Sequence, residues 1–493
     1  MNMTKSLIAL LTGTALLAGC NLAPKYERPA GAIPAALPQG GVYPAAATDA
    51  VDVSRIGWRD FFLDPRLRQV IETGLANNRD LRIAAGNVLQ ARAQLRVQRA
   101  DLLPTINATG TGTFTNNLQG AGGGAGTGAG VGTGSSQDLE IYQATIGLSS
   151  FELDLFGRVR NLSRAAQEQV FASEEAQRST RISLIAEIAT AWLTMASDQE
   201  QLRLSRETLR TFEDTLRLTR EQFRIGVGSE LEVRQADTSY QGAVSDIAAL
   251  EATVALDQNA LNLLVGTTVA QDQLPAGLGA EPATRDALPG DVNSDVLLRR
   301  PDVLRAEHLL IAENANIGAA RAAFFPTISL TGALGTLGLG LSGLFKDGSY
   351  TYTASPSVGL PLFDFGRRTG NLNYAKASQQ VAVATYEKTI QTAFREVADA
   401  LAQRGKIGDR VRAQSSRAQS AQVAAKLSDA RFRAGVDSFL TTLDAQRTAY
   451  AAEQQLVTTR FAQGGNLVEL YRALGGGLED TQSVGAQGTA PAN

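Results

Sequence analysis

The chain has 493 residues, 44% hydrophobic and 19% charged, a length that allows two or three ordinary domains. Its 46 Lys and Arg against 49 Asp and Glu give a formal charge of −3, so there is no basic footprint for nucleic acid. One histidine, His308, and one cysteine, Cys20, leave little for a metal cluster or a nucleophilic triad and exclude an internal disulfide.

Residues 1–19 read as a targeting segment. Lys5 supplies a small positive region, and residues 7–17 form an apolar core too short to cross a bilayer as a helix. The segment ends in Leu17-Ala18-Gly19-Cys20. Small residues directly before a cysteine resemble the lipobox of bacterial lipoproteins, where the signal is cut before Cys and the new N-terminus is acylated. The alternative is an ordinary signal peptide with a chance cysteine. A covalent lipid on Cys20, an anchor rather than a span, is therefore expected, and no other cofactor. Residues 20–57, rich in Pro, Ala and Gly, form an extended arm.

From Trp58 a short amphipathic helix runs to Gly74, and a second covers Arg79–Ala100, ended by Pro104. At Thr105 the period changes to two. Ile106, Ala108, Gly110, Gly112 and Phe114 fall on one face, and Thr105, Asn107, Thr109, Thr111 and Thr113 on the other. Tyr142, Ala144, Ile146 and Leu148 repeat the pattern, as do Ile328, Leu330 and Leu334, and then Tyr350, Tyr352, Val358 and Leu360. These are four strands in two hairpins, about 104–153 and 326–362. No charge appears between Asp101 and Asp138 or between Arg321 and Lys346. Such strands suit a membrane β-barrel, and equally a soluble sandwich. Four strands cannot close a barrel, and open sheet edges are forbidden in lipid, so in a membrane several chains would share it.

Long helices flank the hairpins. Between Arg158 and Phe223 there is neither Pro nor Gly, and Ile185, Ile188, Trp192, Met195, Gln199, Leu202, Leu209, Phe212, Leu216, Thr219 and Phe223 follow a heptad seam. A second stripe, Ala186, Ala189, Leu193 and Ala196, implies packed neighbours on both flanks. Gly226-Val227-Gly228 ends this helix, Ser229 caps a return helix over 230–264, and the shorter Arg79–Ala100 helix supplies the missing length when stacked end to end.

All of this occurs twice. Gly226 and Gly435 stand 209 positions apart, as do Phe156-Gly157-Arg158 and Phe365-Gly366-Arg367, and Glu187 and Glu396. Leu103-Pro104-Thr105-Ile106 matches Phe325-Pro326-Thr327-Ile328 at an offset of 222, the difference falling in the Gly-rich run 120–136. Residues 58–290 and 291–477 are thus two structural repeats, followed by a tail, 478–493. No enzyme is legible: the Gly-rich run lacks the Lys of a phosphate cradle, and His308 reads as a plain surface or packing residue.

The duplicated order of L-P-T-I and F-P-T-I, L-F-G-R and D-F-G-R, the tips F-R-I-G-V-G-S and F-R-A-G-V-D-S, and L-Y-R-A-L-G-G-G resembles the outer-membrane efflux duct family (TolC-like), lipoprotein branch. Asn21 after the cysteine is similar to the family's outer-membrane sorting signal. The resemblance implies a mainly α fold: a long coiled-coil barrel, plus four membrane strands per chain in a twelve-stranded β-barrel shared by a homotrimer. It implies partnership with a periplasmic adaptor and an inner-membrane pump, and export of small molecules such as drugs. A type I protein-secretion duct is the alternative, and a non-channel coiled-coil lipoprotein the alternative of another class.

By the same resemblance the periplasmic end closes just after the second tip. There Leu440 and Asp444, four apart on one helical face, would each form a ring of three about a threefold axis. An apolar ring hinders ions and water, and clustered carboxylates repel one another and attract cations; the plainer reading of Asp444 is a solvated helix residue. Arg431, Arg433 and Arg224 are candidate locks, and Gly226, Gly228 and Gly435 mark the tips.

Overall fold

The computed structural model describes residues 21–30, 33–44, 56–115, 139–279, 283–285 and 294–476. Cys20, the targeting segment, the Gly-rich run and the tail expected at 478–493 lie outside the described residues. In chain order the elements are α1 (Trp58–Phe61), α2 (Pro65–Asn77), α3 (Arg79–Ala100), β1 (Ile106–Thr115), β2 (Leu139–Leu153), α4 (Arg158–Arg224) and α5 (Glu230–Val265). The second copy follows with α6 (Pro301–Ala322), β3 (Thr327–Leu339), β4 (Tyr350–Gly359), α7 (Arg367–Arg433) and α8 (Phe439–Ala473). The expected single helix from Trp58 to Gly74 is two. Asp64 sits in extended backbone ahead of Pro65, and its carboxylate accepts from the Arg66 and Leu67 amides, so a new helix is capped there.

The chain divides into two compact units. The described parts of Met1–Arg28, Leu89–Phe171 and Glu307–Ala384 form one, centred on an antiparallel sheet of order β1-β2-β3-β4. Its polar face carries cross-strand hydroxyl pairs, Thr109 with Thr145 at 2.9 Å and Ser329 with Ser357 at 2.7 Å. On the apolar face Ile106, Phe114, Ile146, Leu334, Tyr352 and Val358 are each more than half exposed. No second sheet packs on that face among the described residues, as a soluble sandwich would require. A register shift between Leu148 and Phe151 marks one extra residue in β2, where Ser150 takes a φ of +50°.

In this unit the arm lies antiparallel along α6. Arg321 donates to the Leu22 carbonyl at 3.0 Å, Asn314 to that of Pro24 at 2.9 Å, and Arg28 holds Glu307 through two bonds of 2.8 and 2.9 Å. Gly318 permits this approach, since a Cβ there would stand 2.8 Å from Ala23. His308 is more engaged than expected: its Nδ1 lies 2.8 Å from Glu168 and its ring 5.3 Å from Phe171.

The described parts of Pro29–Val88, Ala172–Ala306 and Thr385–Asn493 form the larger unit. The heptad seam of α4 is buried from Ile185 through Trp192, Met195, Leu202, Phe212 and Leu216 to Thr219, and surfaces at Phe223. Trp58, Phe61 and Phe62 are buried, and the Tyr471 ring stacks on Phe61 at 4.4 Å and meets Phe62 edge-on at 5.9 Å. The end-to-end helix junction is a pair of hydrogen bonds from one residue. Asn78 caps α3 by accepting from the Leu81 amide at 2.8 Å and donates to the Leu264 carbonyl at the end of α5, also at 2.8 Å.

At the equivalent point of the second copy stands Arg300, a buried cation. It donates to the Ala473 carbonyl at the end of α8 (2.6 Å), to both oxygens of Asp302, and to Glu396 (2.8 Å). Arg472 adds a contact to Glu396 at 3.3 Å. Glu187 is the first-copy counterpart of Glu396, and Asn78 that of Arg300. Burial, and then the charge of Asp80, hold the Glu187 carboxyl above the ordinary range against the pull of Arg472.

Arg300→Met would remove the buried cation, leaving Asp302 without its counter-ion and Glu396 with Arg472 alone, and a loss of about 1–3 kcal/mol is expected. Thermal melting should show a lower transition than Arg300→Lys; equal transitions would contradict the charge network. On α4 and α5, burial and then the neighbouring Asp257 push Asp198 up to about 6, and burial raises Asp257 too. A folded-state pKa above the unfolded value adds stability at low pH that is lost as pH rises through about 6. Relative to Asp198→Asn, the parent should therefore lose melting temperature between about pH 4 and 7, with the variant the more stable at pH 7; identical pH profiles would refute the coupling.

Candidate functional site

Two helix–turn–helix tips build the candidate site. Each turns on a glycine in the left-handed region: Gly226 at φ +80°, its amide donating to the Phe223 carbonyl, and Gly435 at +74°, donating to that of Phe432. Gly228 packs so closely under the first turn that a Cβ would meet Gln222 and Phe223 at 3.1 Å. Ser229 then opens α5 through a capping box with Glu232, and Ser438 caps α8 by accepting from the Thr441 amide.

Behind the tips Leu216, Ala236, Phe432, Phe439 and Leu443 close a small core. Thr442 is buried on the same side of α8, bonded to the Ser428 carbonyl at 3.1 Å, and Gln446 donates to Thr215 at 3.2 Å. With that face of α8 held inward, Leu440 and Asp444 fall on the opposite face. Leu440 is 61% exposed and Asp444 is exposed one turn further on. The first-copy counterparts are Leu231, also exposed, and Gln235, half-buried.

The three arginines are all engaged inside the protomer. Arg431 forms a two-bond pair with Asp437 at 2.7 and 2.8 Å, Arg433 bonds Asp429 at 2.7 Å, and Arg224 bonds Glu221 at 2.7 Å. The hydrogen bonds to Arg431, and its charge, hold the Asp437 carboxyl below the ordinary range. Arg433 and Asp429 also line a cavity of about 470 Å³ with Glu207, Asp214, Lys426 and Glu453. The structure thus brings Leu440 and Asp444 to one exposed face without pairing Asp444 to any of these three arginines. Sequence reasoning missed Asp437, whose signal was legible: the second tip reads G-V-D-S where the first reads G-V-G-S, opposite an arginine that replaces Gln222.

The family model described as "Outer membrane efflux protein" matches residues 70–267 and 292–476, each stretch ending just past a glycine-closed return helix. The chain belongs to the outer membrane efflux protein family. A toluene efflux pump outer membrane protein, TtgC of Pseudomonas putida, is 45% identical over 480 residues, covering 96% of each chain. An antibiotic efflux pump outer membrane protein of the same species, ArpC, is similar to the same extent. The open state of the MtrE outer membrane channel of Neisseria gonorrhoeae superposes with a TM-score of 0.81 at 36% identity, over 93% of this chain and 99% of that one. This member of the family is an outer-membrane efflux channel, mainly helical with a membrane β-sheet, and the duplicated tips are the ends of its helical hairpins.

Proposed function

We propose that three copies form one duct, closed at its periplasmic end by rings of Leu440 and Asp444. A periplasmic adaptor and an inner-membrane pump would work with it to export small molecules such as drugs. The observation that carries this reading is the four-stranded sheet, apolar on one face and open at both edges. A lone protomer in lipid would leave those edges unpaired at several kcal/mol per group, so further copies must supply partners. Relatives named for antibiotic and toluene efflux favour small cargo over polypeptides. The chemistry assigned to the chain is passage and closure, with no catalytic role.

At the tip, exposure of Leu440 and Asp444 opposite the packed face of α8 supports an inward-facing ring. Opening would separate α8 from its counterparts while the small core behind the tip stays intact. The arginine pairs would brace each tip within its own protomer, with Arg431–Asp437 the strongest candidate because both its bonds span the turn.

The anchor reading is supported by the arm. Arg321 holds the carbonyl of Leu22, two positions after Cys20 in the sequence, close to where α6 leads into β3.

Leu440→Ala/Asp444→Ala should keep its assembly while its conductance in planar bilayers rises several-fold and block by divalent cations weakens, because the apolar plug and the carboxylates go together. Cells lacking the chain should accumulate small apolar dyes, and cells with the double variant should admit large antibiotics. Unchanged conductance would move the gate elsewhere, first to Arg431 and Asp437; lost polypeptide secretion with normal dye export would favour the secretion reading. Cys20→Ser should abolish acyl labelling and leave an uncleaved or differently cleaved precursor; labelling equal to the parent would refute the anchor.

A further inference from the structure

The cavity of about 470 Å³ behind the second tip lies wholly within the larger unit, between α4, α7 and α8. Its volume falls in the range of small-molecule sites, about 300–1,000 Å³. Leu204, Phe212 and Ala449 line it as buried apolar surface. On α8 the lining residues Gln446, Ala449, Tyr450 and Glu453 recur at intervals of three and four, so one face of that helix is turned to it.

Two acceptors on that face have no donor among the described residues. Gln446 is only 6% exposed, and its amide nitrogen donates to Thr215 at 3.2 Å. The Thr215 hydroxyl gives its hydrogen to the Thr211 carbonyl at 2.8 Å, so it can only accept from Gln446, and this fixes which way the amide points. The Gln446 oxygen is the end left for the cavity, buried and unpaired. Such an acceptor is costly to bury unless a donor meets it.

Glu453 follows two turns later, about 10.5 Å along the axis. It accepts no hydrogen bond among the described residues. Burial, and then the charge of Glu207, hold its carboxyl above the ordinary range, against the pull of Arg203 and Lys426. The first copy has Val244 at the place of Glu453, so the repeated frame packs without an acid there. No set of three metal-ligating side chains gathers here among the described residues.

We propose that this cavity binds an organic cation with N–H donors at both ends, its charged head on the Glu453 carboxylate and its second donor on the Gln446 oxygen. A protonated amine or amidine on a flat apolar body has that chemistry. The body would lie on Leu204, Phe212 and Ala449 while the two acceptors fix its ends. The site lies within one protomer, so it does not depend on how many copies form the duct.

The probe is 4-aminobenzamidine, an amidinium and an amine at opposite ends of one ring. It is titrated into the purified full-length protein in detergent and followed by its fluorescence, each variant first being matched to the parent by circular dichroism. Binding should be saturable, and Glu453→Gln should weaken it about tenfold or more, because a charge-assisted bond is lost. Gln446→Met should weaken 4-aminobenzamidine about fivefold and leave benzamidine, which lacks the second donor, unchanged. Lys426→Gln should tighten both about twofold by removing a like charge. Leu440→Ala/Asp444→Ala should bind as the parent does, which separates this site from the carboxylates at the tip. No saturable binding in the parent, equal affinity in Glu453→Gln, or equal loss of both probes in Gln446→Met would overturn the site. Loss confined to Leu440→Ala/Asp444→Ala would put the cation at the tip instead, and tighter binding of benzoate than of benzamidine would make the cavity an anion site.

Discussion

An unpaired backbone amide or carbonyl has no substitute partner in lipid, and every feature of the sheet-bearing unit answers to that constraint. Four strands satisfy one another across three seams and leave β1 and β4 open. The apolar residues of the sheet are exposed for the same reason, because their proper solvent is hydrocarbon. A protomer judged as a soluble domain would look unfinished, with phenylalanines and leucines bare around residues 360–365. Judged as one sector of a membrane structure, it is complete except at two edges.

The duplicated frame carries different electrostatics in its two copies. Where the first has Asn78 at its helix junction, the second has Arg300, and the neutral capping bond becomes a buried network reaching Asp302, Glu396 and Arg472. Where the first tip has Gln222 and Gly228, the second has Arg431 and Asp437, joined by two bonds across the turn. Where the first has Gln235, the second has Asp444. At these three points the second copy is the charged one. A backbone repeated twice can keep its packing while one copy specialises, since surface and junction charges cost the coiled-coil seam nothing.

Much of this was legible in the chain itself. The limits of α3 and the start of α4 coincide with the limits read from Gly, Pro and heptad spacing, because a glycine-closed turn or a proline ends a helix whatever surrounds it. The strands were legible from period-two alternation for the same local reason. The break at Asp64-Pro65 was missed, although its cap and proline were in view, since apolar periodicity ran across it. Leu440 and Asp444 were placed on one face by spacing alone, and that face is the exposed one because Thr442, Leu443 and Gln446 are packed behind the tip.

By itself the sequence determined the repeat, the order of elements, the turning points and the membership of an outer-membrane efflux family, all properties of neighbouring residues or of internal comparison. Only the tertiary structure decided which distant residues meet. It brought Asn78 to Leu264, Arg300 to Ala473 and Glu396, Arg321 to the carbonyl of Leu22 and Phe156 to Phe325. Such pairings depend on helix rotation and strand register, which a single extra residue in β2 is enough to change, and no local pattern encodes them.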